Sequence, residues 1–187
     1  MSKMNEIKNR CGWVNMKNPL YVAYHDNEWG VPEHRDDKLY ELLILESFQA
    51  GLSWECILNK RVAFREAFNG FDINRVCEYG EDKIAELMDN PAIIRNRRKI
   101  EATITNSHIF KEIQKQYGSF DSYLWGFTDG KTVIEPYTLR TTSPLSDTIS
   151  TDPKKRGMKF VGSTIIYSYL QAVGIINGHG CECDLHG

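Results

Sequence analysis

Two short stretches at opposite ends of this 187-residue chain carry metal-binding residue types: Cys11 and His25 near the start, His179 and Cys183 near the end. Together they make the Cys₂His₂ set that holds a closed, tetrahedral structural Zn²⁺. Such a site would tie down termini that otherwise fray. The alternative is four unconnected side chains, stray thiols and solvent-facing imidazoles, since the gap between the pairs is not a zinc-finger spacing. The pattern leaves both open. Five cysteines, an odd number, with Cys56 and Cys77 inside helix-like apolar patterns, fit reduced thiols and a metal better than a disulfide framework.

The N-terminal third concentrates rings and acids: Trp13, Tyr21, Tyr24, Trp29 and Trp54, with Glu28 and Glu46 among them. Large rings ordinarily fill cores. Beside a carboxylate they can also sandwich a planar heterocycle whose exocyclic amine donates to the acid, and a cationic ring would gain a further ~0.5–2 kcal/mol. Glu46 follows LLIL on the apolar side of its helix. An unpaired carboxylate there is costly to bury, so it is either solvated at a helix end or held for a purpose. Two basic clusters, Arg95/Arg97/Arg98/Lys99 and Lys154/Lys155/Arg156/Lys159, each accompany an expected helix start. They are either solvated faces or phosphate contacts.

The elements that must position these residues are mostly helical, and the expected fold class is all-α. Asp36 is expected to cap a helix through Leu39, Leu42, Leu43 and Phe48 with Gly51 as its stop, and Ser53 to cap the next, through Trp54, Ile57 and Leu58. Asp72 opens a shorter helix. Residues 81–88 read as an amphipathic helix, NPAIIR (90–95) as a break, and 96–118 as a long helix ending at Gly118. That helix–hairpin–helix can aim free N–H groups at a phosphate, or be an ordinary corner. A short helix near 119–126 precedes a loop with one β-like stretch, TVIEPYTL, interrupted by Pro136. Asp152–Pro153 reads as a cap and first turn, and Ser163 opens a last helix leading to His179.

With 41% hydrophobic residues the chain can build a proper core, and its longest apolar runs are far too short to span a bilayer. The polar start, MSKMNEIKNR, carries no hydrophobic signal region, so a cytoplasmic protein without membrane attachment is expected. A net charge of −2 gives no global sign of nucleic-acid binding, leaving local patches to supply it. No P-loop, dinucleotide fingerprint or Gly-x-Ser-x-Gly occurs.

RCGW (10–13), PLYVAYHDNEWGVP (19–32), LESFQAGLSW (45–54), IIRNRRKI (93–100) and KKRGMKFVGSTIIYSYLQAVGIINGH (154–179) resemble the 3-methyladenine DNA glycosylase I family. The similarity runs from about Arg10 to Cys183. It implies a helix-hairpin-helix DNA glycosylase fold in one unit over 1–187, with the hairpin region at about 81–118. The termini, about 10–30 and 175–187, would be joined by structural zinc. By resemblance Cys11, His25, His179 and Cys183 are the ligands. Cys181 is a rival, but the family has three residues between the His and the Cys. Tyr24, Glu46 and Trp54 match the base pocket, with Trp13 and Trp29 lining it and Glu46 carrying the catalytic role.

The implied activity is excision of 3-methyladenine from alkylated double-stranded DNA by a monomer, releasing the free base without strand cleavage. No Asp lies between Arg95 and Asp121, where many hairpin glycosylases place a catalytic one, and the family likewise lacks it. Expected DNA contacts are Gly51, Leu52, Arg95, Arg97, Arg98, Lys154 and Lys155. Leu52 is either an apolar wedge or a core residue. The hairpin's Pro91-Ala92-Ile93-Ile94 lacks the glycine common in such motifs. The rival from another class is a non-enzymatic, zinc-stabilised hairpin DNA-binding protein.

Overall fold

The computed structural model describes residues 9–135 and 140–186, so Pro136 and most of the polar N-terminus lie outside the described residues. Ten α-helices dominate: α1 (Pro19–Asn27), α2 (Asp36–Gln49), α3 (Trp54–Asn59), α4 (Arg61–Ala67), α5 (Ile73–Cys77), α6 (Glu81–Asp89), α7 (Arg97–Tyr117), α8 (Phe120–Trp125), α9 (Pro144–Arg156) and α10 (Ser163–Ala172). Two short strands, β1 (Val133–Ile134) and β2 (Ile176–Asn177), pair in parallel. The β-like reading of the 132–139 stretch thus holds at Val133 and Ile134, while 136–139 lie outside the described residues.

Helix α2 is the axis, buried from Leu39 to Phe48 and packed against α3, α7, α8 and α10. The main core gathers Leu39, Ile44, Leu45, Phe48, Phe64, Phe68, Ile100, Phe110 and Leu170 around it. A smaller cluster holds Cys11, Val14, Tyr24, Trp29, Leu58 and Cys183, and Trp54 touches both.

Several boundaries follow their local signals. Ser53 accepts from Cys56 N, Asp72 caps α5, Asn96 caps α7, and Gly118 ends α7 at φ +88°. Two caps do not. Asp36 lies inside α2, and its carboxylate accepts from the N–H groups of Phe120 and Asp121 at 2.9 Å, capping α8 across the molecule. Pro153 is interior to α9, which starts ten residues before Lys154 behind the capping box of Ser143 and Ser146. Asp152 instead bonds Tyr123 and Arg156. The basic run 154–156 therefore ends α9, where cations suit the helix dipole, rather than opening a helix.

A buried ion cluster fastens α4 to the rest. Arg61 donates to Glu41 of α2 at 2.7 Å and to Glu28, just beyond α1, at 2.7 Å; Arg65 and Lys38 complete the surround of Glu41. Burial pushes Glu41 upward, but Arg65, Arg61 and Lys38 outweigh it and hold the carboxyl at about 2. The stability it contributes is present above the ordinary carboxylate range and lost as pH falls towards 2. Removing one member of such a buried cluster leaves an uncompensated charge. Arg61→Met is expected to cost about 3 kcal/mol in urea unfolding; a loss near zero would show that α4 is held by apolar packing alone.

Candidate functional site

Cys11, His25, His179 and Cys183 do converge. Their ligand atoms lie within 4.8 Å of one another, and all four residues are buried. Cys11 Sγ is 3.5 Å and Cys183 Sγ 3.4 Å from His179 Nδ1, and Cys183 Sγ is 3.6 Å from His25 Nε2. Cys181 is exposed and outside the cluster. The remaining ring nitrogens are already engaged: His25 Nδ1 lies 2.8 Å from Asp26, which Arg10 holds at 2.7 Å, and His179 Nε2 lies 3.1 Å from the Trp29 carbonyl. Each imidazole is thereby oriented with one nitrogen facing the centre, as metal-binding histidines are. Burial pushes the Cys11 thiol upward, so a cation is what would hold it as thiolate. The donor set fits a metal ion.

The pocket rings rest directly on these imidazoles. Trp29 meets His179 edge-on at 4.7 Å, Trp13 meets His25 at 5.3 Å, and Trp13 meets Trp29 at 4.8 Å. Gly30 makes this approach possible: its φ is +76°, and a Cβ there would lie 3.0 Å from His179 Nε2. Tyr24, next to His25 on α1, packs on Trp54 at 5.1 Å.

Between these rings lies a cavity of about 150 Å³, bounded by Trp13, Tyr21, Tyr24, Trp29, Trp54 and Glu46 together with Gln49, Ser168 and Gln171. A space of this order takes an aromatic ring. Two of its polar groups are unspent among the described residues. Glu46 is 3% exposed, makes no ion pair or hydrogen bond among the described residues, and is pushed up to about 8 by burial. Trp54 Nε1 is a buried donor without a partner. An orphan acceptor and an orphan donor thus share one aromatic slot. Gln49, Ser168 and Gln171 were not foreseen, although Glu46/Gln49 and Ser168/Gln171 are polar pairs at helical spacing.

Beside the cavity, α2 turns into α3 through Gly51 (φ +81°), leaving Leu52 38% exposed at the apex rather than in the core. The Gln49 side chain bonds the Leu52 carbonyl, bracing the turn. The hairpin joining α6 to α7 needs no glycine, since no residue from 90 to 96 has positive φ; Asn90 Oδ1 accepts from Ala92 N instead. Arg95 and Arg98 are exposed and make no ion pair among the described residues, whereas Arg97 spans Glu81 and Glu101. Lys99 points inward, away from the cluster it belongs to in sequence. Lys154 and Lys155 are exposed.

The sequence pattern of the methyladenine glycosylase family matches residues 13–186. DNA-3-methyladenine glycosylase 1 of Escherichia coli (strain K12) is 43% identical over 180 residues, covering 93% of this chain and 96% of that one. DNA-3-methyladenine glycosylase of Haemophilus influenzae (strain ATCC 51907 / DSM 11121 / KW20 / Rd) is 35% identical, covering 93% and 96%. A crystal structure of 3-methyladenine DNA glycosylase I superposes with a TM-score of 0.89 at 44% identity, covering 95% of this chain and 100% of the other. A tyrosine-to-phenylalanine variant of 3-methyladenine DNA glycosylase I in complex with 3-methyladenine superposes at 0.88 with 35% identity, covering 92% and 95%.

Because Glu46 is raised in the folded chain, the fold binds its proton more tightly than the unfolded chain does. That favourable contribution is fully present at acidic pH and is lost as pH climbs from the ordinary carboxylate range through about 8. Glu46→Gln removes it. The variant's melting temperature relative to the parent is expected to rise between pH 5 and pH 8.5; a difference that stays flat with pH would mean the carboxyl is solvated.

Proposed function

We propose a mechanism for a chain that belongs to the methyladenine glycosylase family, DNA repair enzymes that hydrolyse the N-glycosyl bond of 3-methyladenine. The observation that carries it is the unpaired Glu46 carboxyl and unpaired Trp54 Nε1–H in one aromatic cavity. Adenine offers the complement, an exocyclic amine donor beside a ring-nitrogen acceptor. Guanine presents a carbonyl oxygen where adenine has the amine, an acceptor facing an acceptor.

Methylation at N3 makes the purine a cation in the strand. Its flipping out costs a few kcal/mol, less than for an intact pair. Tyr24, Trp54, Trp13 and Trp29 then surround the ring, and its charge favours the ionised form of Glu46. The bond between the base and the sugar C1′ breaks with its electron pair going to the base, cancelling the positive charge. Water adds to C1′ and loses a proton, and free 3-methyladenine departs. Glu46 acts by recognition and by its charge rather than as a proton acceptor. No lysine lines the cavity among the described residues, so excision would proceed without a covalent sugar intermediate or strand cleavage.

Leu52, exposed on its glycine-hinged turn, would enter the gap left by the flipped nucleotide. Arg95 and Arg98, with Lys154 and Lys155, would meet phosphates on double-stranded DNA. Arg97 would contribute less, its charge being shared with two glutamates. The chain would work as one unit, a cytoplasmic monomer. A purely DNA-binding role leaves the aromatic cavity unexplained.

The metal would be Zn²⁺. Tetrahedral Zn–S and Zn–N bonds of about 2.3 and 2.0 Å require S···N edges of about 3.5 Å, and the three separations above span 3.4–3.6 Å. With four protein ligands no coordination position is left for an activated water, so the ion would act as a clasp.

Two experiments test this reading. Incubation with methylated DNA should release 3-methyladenine on chromatography, and Leu52→Ala should lower the rate about tenfold with folding intact; no released base would end the enzymatic assignment. Metal analysis of the purified protein should find one zinc, lost with a large fall in melting temperature in Cys183→Ser and kept in Cys181→Ser. Equal zinc content in both variants would refute the assigned ligand set.

A further inference from the structure

Lys99, the third residue of α7, is 6% exposed and has no carboxylate partner among the described residues. Its Nζ donates to the Phe48 carbonyl at 2.7 Å and the Ala50 carbonyl at 2.6 Å. The first belongs to the last turn of α2 and the second to Ala50, the residue that follows it, so both lie at the negative end of the helix dipole, where carbonyls lack partners within the helix. The ammonium also stands 5.7 Å from the Phe160 ring centroid, within cation–π range. Phe160 is a non-glycine residue at φ +55°, a conformation that persists only where the surroundings enforce it. They do so here: the Asn106 side chain bonds both the N–H and the carbonyl of Lys159, and Ser47 bonds the Phe160 carbonyl.

Three elements therefore meet on one buried cation: the start of α7 behind the hairpin, the 50–53 turn that presents Leu52, and the strained 159–160 segment. Phe48 is fully buried, so its carbonyl needs a protein donor, yet a neutral donor would serve at far less desolvation cost than an ammonium. What a charged, short, double-donor tie adds is a fixed distance between the hairpin and the turn. We infer that Lys99 is a positioning residue for base extraction: it holds the Leu52 turn rigid against the hairpin, so that docking of the hairpin on the backbone drives the wedge into the stack. This rests on the reading of Leu52 as the wedge.

The role separates from base recognition, because Lys99 does not line the aromatic cavity. The experiment uses the full chain and two defined duplexes, with the N3-methylated adenine opposite thymine or opposite an abasic site, where no pair must be broken. Lys99→Met should slow excision about tenfold on the paired duplex, with near-parental rates on the unpaired one and unchanged affinity for free 3-methyladenine by tryptophan fluorescence. Lys99→Arg should restore most of the paired rate. Lys99→Gln, which keeps N–H donors but no charge, should show the same contrast should the Met variant fail to fold. Equal loss on both duplexes, weakened free-base binding, or no loss would each overturn the inference. Leu52→Ala in parallel separates the two ideas. If it shows the paired-duplex defect and the Lys99 variants do not, the positioning role alone fails; if it shows none, the wedge reading fails.

Discussion

A carboxyl buried without a partner is tolerable only if nothing in the structure can relax to solvate it, and that requirement shapes most of what surrounds Glu46. Its helix is held along its whole length. Asp36 at one end is bound to the start of α8, the Leu39 carbonyl receives the Tyr169 hydroxyl, Ser47 reaches the Phe160 carbonyl, and Lys99 fixes the last carbonyls. A helix so anchored cannot rotate Glu46 outward. The acid stays desolvated and raised, and its interaction with an incoming cation is made in a medium where charge is poorly screened. The neighbouring Trp54 Nε1–H is unmatched for the same reason. Local stability is given up so that the empty pocket already has the polarity of the filled one.

The walls of that pocket depend on a second constraint, closure of the two chain ends. Trp13 and Trp29 lie against the imidazoles of His25 and His179, and the Trp29 carbonyl receives His179 Nε2. The rings are thus positioned by the same groups that make up the candidate metal centre, with Asp26 and Arg10 fixing the orientation of His25. A metal held there would influence recognition without taking part in chemistry. Only one layer of ring contacts separates the four candidate ligands from the slot.

What could be read from the sequence divides along a physical line. Signals whose cause is local survived folding: the periodicity of α6 and α7, the caps Ser53 and Asp72, the stop at Gly118. The Cys₂His₂ set was visible because ligand chemistry restricts the residue types, although the choice of Cys183 over Cys181 came from family resemblance. Signals that depend on long-range competition did not survive. Asp36 has the chemistry of a cap, but the free N–H groups of α8, more than eighty residues on, are equally good donors and lie closer. Asp152–Pro153 looks like a helix start, yet Ser143–Pro144 begins the helix earlier and buried Ile149 and Ser150 carry it through. Lys99 belongs to a basic run, and only the tertiary fold distinguishes the member that turns inward. Ser168 and Gln171 sit on a helix whose apolar neighbours dominate the pattern.

The absence of an Asp after the hairpin fits this division of labour. A neutral base leaves its sugar slowly and needs strong activation, whereas an N3-methylated purine is a cation that leaves as a neutral molecule. For such a substrate the hydrolysis itself demands little, and the hard steps are finding the lesion, removing it from the stack and rejecting normal bases. Those steps call for rigidity and complementarity rather than for a potent acid or base. On the proposed reading they would come from a clamped helix carrying Glu46, a ring-walled slot seated on the Cys/His cluster, and an exposed leucine on a braced turn. On the proposed mechanism an undamaged adenine could form the same hydrogen bonds but lacks the positive charge that would ionise Glu46, so discrimination would rest on charge as much as on shape.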